Sequence, residues 1–178
     1  MKNPTTCKFC LIVHKTRPWR LVRSSSSWPL FSKYPVSTMK RICVIDGQGG
    51  GIGATLIKYI KEAYGESIEL VGLGTNAIAT AQMLKAGANR GASGENAIVY
   101  TVATADLILG SISITWANAM LGEVTPKMAE AVMSCAAPKI LLPLTQESVE
   151  LVGVFDEPLP HLVQRAVDEK IKEVLGDV

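Results

Sequence analysis

Short apolar runs alternate with longer amphipathic stretches over most of the chain. A continuous apolar run bounded by glycine or polar residues is typical of a parallel strand that is covered on both faces. Runs of this kind predict five strands, at residues 41–45, 67–73, 107–109, 139–142 and 149–155. Between the second and third runs, residues 89–96 predict a polar glycine loop.

Apolar residues at helical spacing occupy the intervals between these strands. They predict helices over 52–63, from 77 to a stop at Gly87, through 98–102, over 126–136 and over 158–175. Thr75 is expected to cap the second helix and Thr125 the fourth, in which Pro126 takes the first position. This alternation predicts βαβ units with right-handed crossovers. The expected fold class is α/β, a single Rossmann-like three-layer α/β/α sandwich with a mainly parallel sheet.

Residues 1–38 differ in kind from the rest of the chain. They hold seven Lys and Arg and no acid, and they include four consecutive serines at 24–27. We expect an unstructured basic leader here and an α/β domain over residues 39–178. The leader is either an organelle transit peptide or an extension upstream of a true start at Met39.

The charge of the predicted domain limits its partners. The seven leader cations are part of the 18 Lys and Arg, so 11 remain against 16 Asp and Glu, a net charge of −5. Nucleic-acid surfaces need clustered cations, so no nucleic-acid partner is expected. Residues 97–121 are long and apolar, but Asp106 would lie inside a membrane span, so no membrane partner is expected either. With four cysteines and no disulfide framework, the expected location is the cytoplasm.

The first predicted strand leads directly into a glycine-rich loop and then a helix. Glycines let backbone N–H groups approach an anion, and the start of a helix adds unpaired N–H donors and the positive end of its dipole. The pattern predicts a nucleotide or dinucleotide site. Its candidate residues are Asp46, Gly47, Gln48, Gly49, Gly50, Gly51, Ile52, Gly53, Thr75 and Asn76.

The loop matches dinucleotide templates better than triphosphate templates. No Lys-Ser/Thr pair follows the last glycine, so the Walker pattern fails, whereas G-x-G-x-x-A and G-x-x-x-G-x-G both fit the loop. An acid that would bind an NAD ribose is missing after the second strand, where Thr75 and Asn76 are the available hydrogen-bonding groups. No Tyr-x-x-x-Lys pair is present. NAD(P) or another nucleotide is therefore possible, and the cofactor stays unknown.

Other polar residues stand at the ends of predicted strands, where open α/β sheets bind ligands. Besides Thr75 and Asn76, these crevice candidates are Ser111, Ser113, Asn118, Thr145, Gln146 and Glu147. Asp46 is expected to bond the N–H groups of its own loop, as in an Asx turn. Neither a catalytic constellation nor a metal site is predicted, because Cys7, Cys10 and His14 lack a second ligand pair.

Three segments carry a family resemblance: IDGQGGGIG from Ile45, LGTNA from Leu73 and GEVTP from Gly122. In these segments the chain from Met39 to about Leu175 resembles a bacterial family of short proteins known as domain-of-unknown-function family 3842. The resemblance excludes the leader and implies a bacterial cytoplasm. It implies no reaction, because the family is uncharacterised.

Three hypotheses for function follow from these patterns. The first is a non-catalytic Rossmann-like module that binds a nucleotide and acts as a sensor or regulatory subunit. The second is a small NAD(P)-dependent oxidoreductase or a transferase whose catalytic groups come from a partner or across a dimer. The third is a structural oligomer without a ligand. The apolar content of residues 77–121 favours a homo-oligomer in each case.

Overall fold

The computed structural model describes residues 39–155 and 157–176. Its strands form a five-stranded sheet in which every neighbouring pair is parallel, in the order β3-β2-β1-β4-β5. The strands are β1 (Lys40–Asp46), β2 (Ile68–Gly74), β3 (Arg90–Ser93), β4 (Leu107–Ser111) and β5 (Lys139–Leu142). Because all strands run the same way, their carboxyl ends meet at one edge of the sheet.

Helices connect the strands and complete the three layers. They are α1 (Gly51–Tyr64), α2 (Ala77–Lys85), α3 (Glu95–Val102), α4 (Pro126–Ser134), α5 (Leu159–Arg165) and α6 (Ile171–Leu175). A 3-10 helix (Ile112–Thr115) follows β4, and a π-helical turn (Ala166–Lys170) joins α5 to α6. None of the helices in the described ranges is long and apolar enough to cross a membrane.

The central strand supplies side chains to two separate cores. Ile42 and Val44 of β1 pack with α1 and the last helices on one face of the sheet. Cys43 and Ile45 pack with α3 and α4 on the other face. This alternation follows from the two-residue period of a strand, and burial on both faces explains why residues 42–45 of β1 are all apolar. The α/β Rossmann-like fold expected from the sequence is confirmed.

The two helix caps expected from the sequence differ in outcome. Thr125 accepts a hydrogen bond from the Met128 amide at 3.3 Å and precedes Pro126, as predicted. At α2 the prediction that Thr75 caps the helix is wrong, since the side chain of Asn76 is the cap and accepts from the Ala79 amide at 2.8 Å. The Thr75 hydroxyl donates elsewhere, to a carboxylate of the candidate site described below.

Two strand assignments are corrected by the structure. Arg90–Ser93, predicted within a polar loop, is the edge strand β3, which pairs with β2 from Val71↔Arg90 to Gly74↔Ser93. Its side chains are mostly exposed, so backbone pairing forms the strand and no apolar pattern marks it. In contrast, residues 149–155 form no strand. Val152 there is fully exposed, so the apolar run is not explained by burial in the sheet.

The predictions for residues 1–38 lie outside the described part of the chain. The leader and its alternative explanations therefore stay predictions, as does the domain boundary at residue 39. Cys7, Cys10 and His14, for which no metal site is predicted, also lie outside the described residues.

Candidate functional site

The candidate site lies at the carboxyl edge of the sheet, between β1 and β4. These strands are paired from Ile42↔Leu107 to Ile45↔Gly110. The chain leaves β1 for α1 on one face, whereas it leaves β4 through the 3-10 helix for α4 on the other. Connections that depart to opposite faces open a crevice, which is where open α/β sheets bind ligands.

Four of the five glycines in residues 47–53, which form the loop after β1 and the first turn of α1, fall into two groups. Gly50 has a left-handed φ of 70°, and a Cβ there would lie 2.6 Å from the α2 backbone. A Cβ on Gly53 would lie 2.7 Å from a methionine sulfur of α2. Gly49 and Gly51 have nothing within 4 Å of the Cβ position and no positive φ. Helix packing therefore requires Gly50 and Gly53, while Gly49 and Gly51 face open space.

The carboxylate of Asp46 binds this loop from the inside. It is buried, its Oδ1 accepts from the Gly47 amide at 2.8 Å, and its Oδ2 accepts from the Gly53 amide at 2.6 Å. Burial raises the pKa of Asp46, and the amides of Gly53, Gly47 and Ile52 oppose that rise. Asp46 therefore bonds the N–H groups of its own loop as predicted, but not as an Asx turn, because the Gln48 amide two residues on donates to Glu123. These bonds occupy amides that a ligand would otherwise use.

A second carboxylate, from Glu123, binds the same loop through a different amide. Its Oε2 accepts from the Gln48 amide at 2.8 Å, from Asn76 Nδ2 at 2.9 Å and from the Thr75 hydroxyl. Burial raises the pKa of Glu123, but these three hydrogen bonds outweigh burial and hold the pKa below its usual value. Thr75 and Asn76, which the sequence suggested as contacts for a ribose or purine, thus hold a carboxylate of the protein itself.

Two amides of the loop keep their hydrogen-bonding capacity. The Gly50 amide donates to the Gly47 carbonyl at 2.9 Å. Over the described residues, nothing accepts from the amides of Gly49 or Gly51. Gly51 is the first residue of α1, so its amide lies at the positive end of the helix dipole. The sequence predicts backbone N–H donors for an anion along the whole loop, whereas the structure leaves two of them available.

A cavity of about 320 Å³ lies beside the glycine loop, and Gly49 and Gly51 themselves are not among its lining residues. Gln48 and Ile52, which bracket Gly49 and Gly51 in the sequence, both line it. Further lining comes from the carboxyl end of β4 and from the segment that follows β5. Ligand sites have volumes of about 300 to 1,000 Å³, so this cavity is at the small end of the range.

The cavity lining includes Ser111, the last residue of β4. Ser111 is 2% exposed, and its Oγ is the one buried side-chain polar atom among the described residues that has no hydrogen-bond partner. An unsatisfied buried hydroxyl costs stability, and almost all buried polar groups have partners. Ser111 Oγ therefore has hydrogen-bonding capacity that no described residue uses.

Glu147 forms the most extensively hydrogen-bonded side chain of the cavity lining. Its Oε2 accepts from Ser113 Oγ at 2.8 Å, from the Gln146 amide at 3.2 Å and from the Thr145 hydroxyl, and its Oε1 accepts from the Met120 amide at 2.8 Å. The bonds from Thr145 and Met120 are the largest causes that lower the pKa of Glu147 to about 2. Glu147 is therefore ionised at neutral pH and fixed in position.

The charges around the crevice are negative. Asp46 and Glu123 bind the loop, and Glu147 lines the cavity. No Lys or Arg of the described residues lines the cavity. Two like charges about 4 Å apart repel by about 4 kcal/mol at an effective dielectric constant of about 20. A phosphate group at this site would thus depend on the Gly49 and Gly51 amides alone for neutralising contacts.

The chain matches a known protein family. The family model described as "Domain of unknown function (DUF3842)" matches residues 41–175. The chain belongs to this family. The resemblance recognised in the sequence is therefore confirmed.

No curated protein matches this DUF3842 member. Among solved structures it is similar to one titled "Structure of universal stress protein from Archaeoglobus fulgidus". The two chains are 14% identical, with a TM-score of 0.35, and the match covers 58% of this chain and 97% of that one.

In this DUF3842 protein the structure brings several candidates named from the sequence to one cavity. Ser111, Ser113 and residues 145–147 line it together with Gln48 and Ile52 of the glycine loop. Sequence reasoning missed Glu123, which contacts the loop from 75 residues away in the chain. No local pattern marks this role, because the contact depends on how the segment after β4 returns to the sheet edge.

The described part of this DUF3842 protein contains the thiols of Cys43 and Cys135 and the imidazole of His161. No cluster of His, Cys, Asp and Glu within it could hold a metal ion. Burial raises the pKa of the Cys43 thiol to about 12, so the thiol stays protonated at neutral pH. His161 is exposed in α5 and is not among the residues that line the cavity.

Proposed function

We propose that this protein binds a nucleotide-type ligand in the crevice between β1 and β4 and acts as a sensor or regulatory module without catalysis. The observation that carries the proposal is the unpartnered, buried hydroxyl of Ser111, a residue that lines a cavity together with Gln48 and Ile52, the chain neighbours of the unpaired Gly49 and Gly51 amides. The cavity provides polar groups for a sugar, and the amides provide an anion contact at the start of α1. NAD(P) and other nucleotides remain candidate ligands.

The walls of the cavity support this ligand class. Ile52, Leu144 and Leu159 provide apolar surface, and Ser111 and Glu147 provide hydrogen-bonding groups. Nucleosides combine a flat apolar base with a hydroxyl-bearing sugar, so they match both kinds of wall. The site thus follows the usual composition of a small-molecule pocket, mostly apolar with a few placed polar groups.

A thermal-shift screen tests the proposal. The full chain would be melted with adenosine, AMP, ATP, GTP, NAD, NADP, FAD and S-adenosylmethionine. A ligand at 100 times its dissociation constant adds about 2.7 kcal/mol to the free energy of unfolding. For a chain of this size we expect a rise in Tm of roughly 5 to 10 °C with at least one nucleoside-containing compound. No shift with any of them would contradict the proposal.

The variant Gly51→Val ties such a shift to the loop. A side chain at Gly51 meets open space, so the fold should tolerate it, yet it would cover the amides that a ligand approaches. We expect the ligand-dependent shift to be lost. Ser67→Ala is the control, because the Ser67 hydroxyl is exposed and donates to the Tyr64 carbonyl at the amino end of β2. A shift retained in Gly51→Val would place the ligand elsewhere.

A further inference from the structure

We infer that the ligand of this crevice is a nucleoside that carries no phosphate or one phosphate, and that the site discriminates against di- and triphosphates. The inference rests on the proposed function and names the ligand class more narrowly. It is based on three features of the crevice: the number of available amide donors, the charges around them and the size and chemistry of the cavity.

The first feature is the small number of donors left for phosphate. Asp46 accepts from the Gly47 and Gly53 amides, and Glu123 accepts from the Gln48 amide. The carboxylates of this chain therefore accept from amides that a phosphate would otherwise contact. The amides of Gly49 and Gly51 remain, which is enough to contact one phosphate group.

The second feature is electrostatic. A triphosphate brings about four negative charges, and each would lie near a crevice already holding the carboxylates of Asp46, Glu123 and Glu147. Loops that bind triphosphates supply a lysine and a metal-binding hydroxyl for this reason. The corresponding Lys-Ser/Thr pair is absent from the sequence after Gly53, and no described Lys or Arg lines the cavity. Each added phosphate should therefore weaken binding.

The third feature is the match between the cavity and a sugar with its base. Ser111 Oγ has no partner, and Glu147 Oε1 accepts from the Met120 amide alone, so each has capacity for a further hydrogen bond. A ribose hydroxyl can donate to Glu147 Oε1, and Ser111 can donate to or accept from a sugar or base. The volume of about 320 Å³ suits one nucleoside better than a dinucleotide.

Isothermal titration calorimetry with a graded phosphate series tests this inference. The full chain would be titrated without magnesium with adenosine, AMP, ADP and ATP, and with the matching guanosine compounds. In at least one base series we expect the nucleoside and monophosphate to bind at least tenfold more tightly than the triphosphate. Added KCl should reduce the difference, because salt screens charge repulsion.

Two variants connect the result to the named residues. Ser111→Ala should weaken binding of the nucleoside at least tenfold, whereas Ser67→Ala should leave it unchanged. Glu123→Gln should improve triphosphate binding relative to nucleoside binding, because it removes a charge next to the loop. Wild-type affinity for the nucleoside in Ser111→Ala would overturn the assignment of the cavity as the nucleoside subsite.

The outcomes separate this inference from the proposed function. If a triphosphate binds as tightly as its nucleoside or more tightly, the preference for low phosphate charge is overturned while nucleotide binding stands. If none of the compounds in either series binds, both the inference and the proposed function are overturned.

Discussion

Ser111 and Ser113 are buried serines two positions apart with opposite surroundings. Ser111 Oγ has no partner, whereas Ser113 Oγ donates to Glu147 at 2.8 Å. We expect Ser111→Ala to raise the free energy of unfolding by about 1 kcal/mol, because it removes an unsatisfied buried hydroxyl. The corresponding rise in Tm is about 2 to 4 °C and can be followed by circular dichroism.

Ser113→Ala is the matched substitution for this measurement. It deletes a hydrogen bond to an ionised group, so we expect a loss of about 1.5 to 3 kcal/mol. If Ser111→Ala destabilised the protein as much as Ser113→Ala, the Ser111 hydroxyl would have a partner in the folded protein and the argument for a ligand would lose its main support.

The glycine loop offers a second matched pair. Gly50→Ala places a Cβ at a left-handed φ and 2.6 Å from the α2 backbone, so we expect a loss of at least about 2 kcal/mol. Gly49→Ala meets open space at an ordinary φ, and we expect its stability to stay within about 0.5 kcal/mol of wild type. Urea denaturation measures both. Equal losses would show that the loop is not arranged as described.

At the scale of single residues, the sequence identified the loop but not the state of its amides. The bonding of Asp46 to the amides of its own loop could be predicted because its partners are local in the chain. Glu123 could not be assigned, because its contacts to Gln48, Thr75 and Asn76 depend on tertiary structure. A glycine motif reports where backbone can approach an anion, and it does not report whether the protein supplies that anion itself.

Among the elements, the segments after β4 and after β5 are joined by Glu147. Its folded pKa of about 2 lies below the ordinary value of 4.5, so its ionised form stabilises the fold above pH 4.5 and this contribution is lost as the pH falls toward 2. We expect wild type to be more stable than Glu147→Gln at pH 7. The difference should shrink steadily between pH 4.5 and pH 2 in urea titrations.

The pH dependence distinguishes a charged acceptor from simple packing. Glu150→Gln is a suitable control, because Glu150 lies exposed in the same segment. A difference between wild type and Glu147→Gln that stays constant with pH would contradict the role given to the Glu147 charge.

The strands that sequence patterns could identify are those whose apolar residues pack into the two cores. β1, β2, β4 and β5 were found because burial requires apolar residues in a short run. The edge strand β3 was missed since its RGAS sequence is largely exposed and is held by pairing with β2. The prediction of a strand at 149–155 is wrong because the sequence pattern alone does not distinguish exposed apolar residues from buried ones.

At the scale of the whole molecule, oligomerisation stays a prediction. Within the segment that suggested it, Ile78 and Tyr100 are 65% and 79% exposed, and Leu121 is 98% exposed. Large exposed apolar side chains favour burial against another chain. We expect sedimentation equilibrium to give a mass of at least twice the 19.1 kDa monomer. A monomer at all concentrations tested would contradict this expectation.

The order of the strands determines where the crevice lies. The central claim for the molecule as a whole is that this crevice binds a ligand. A ¹⁵N-labelled sample titrated with AMP and, separately, with GMP, and followed by two-dimensional ¹H–¹⁵N NMR, tests that claim most directly. We expect the backbone amide signals of Gly49 and Gly51 to shift in a saturable manner, together with that of Ser111, while those of Gly65 and Gly94 stay in place. Saturable binding that leaves the Gly49 and Gly51 signals unchanged, or no binding at all, would contradict the account.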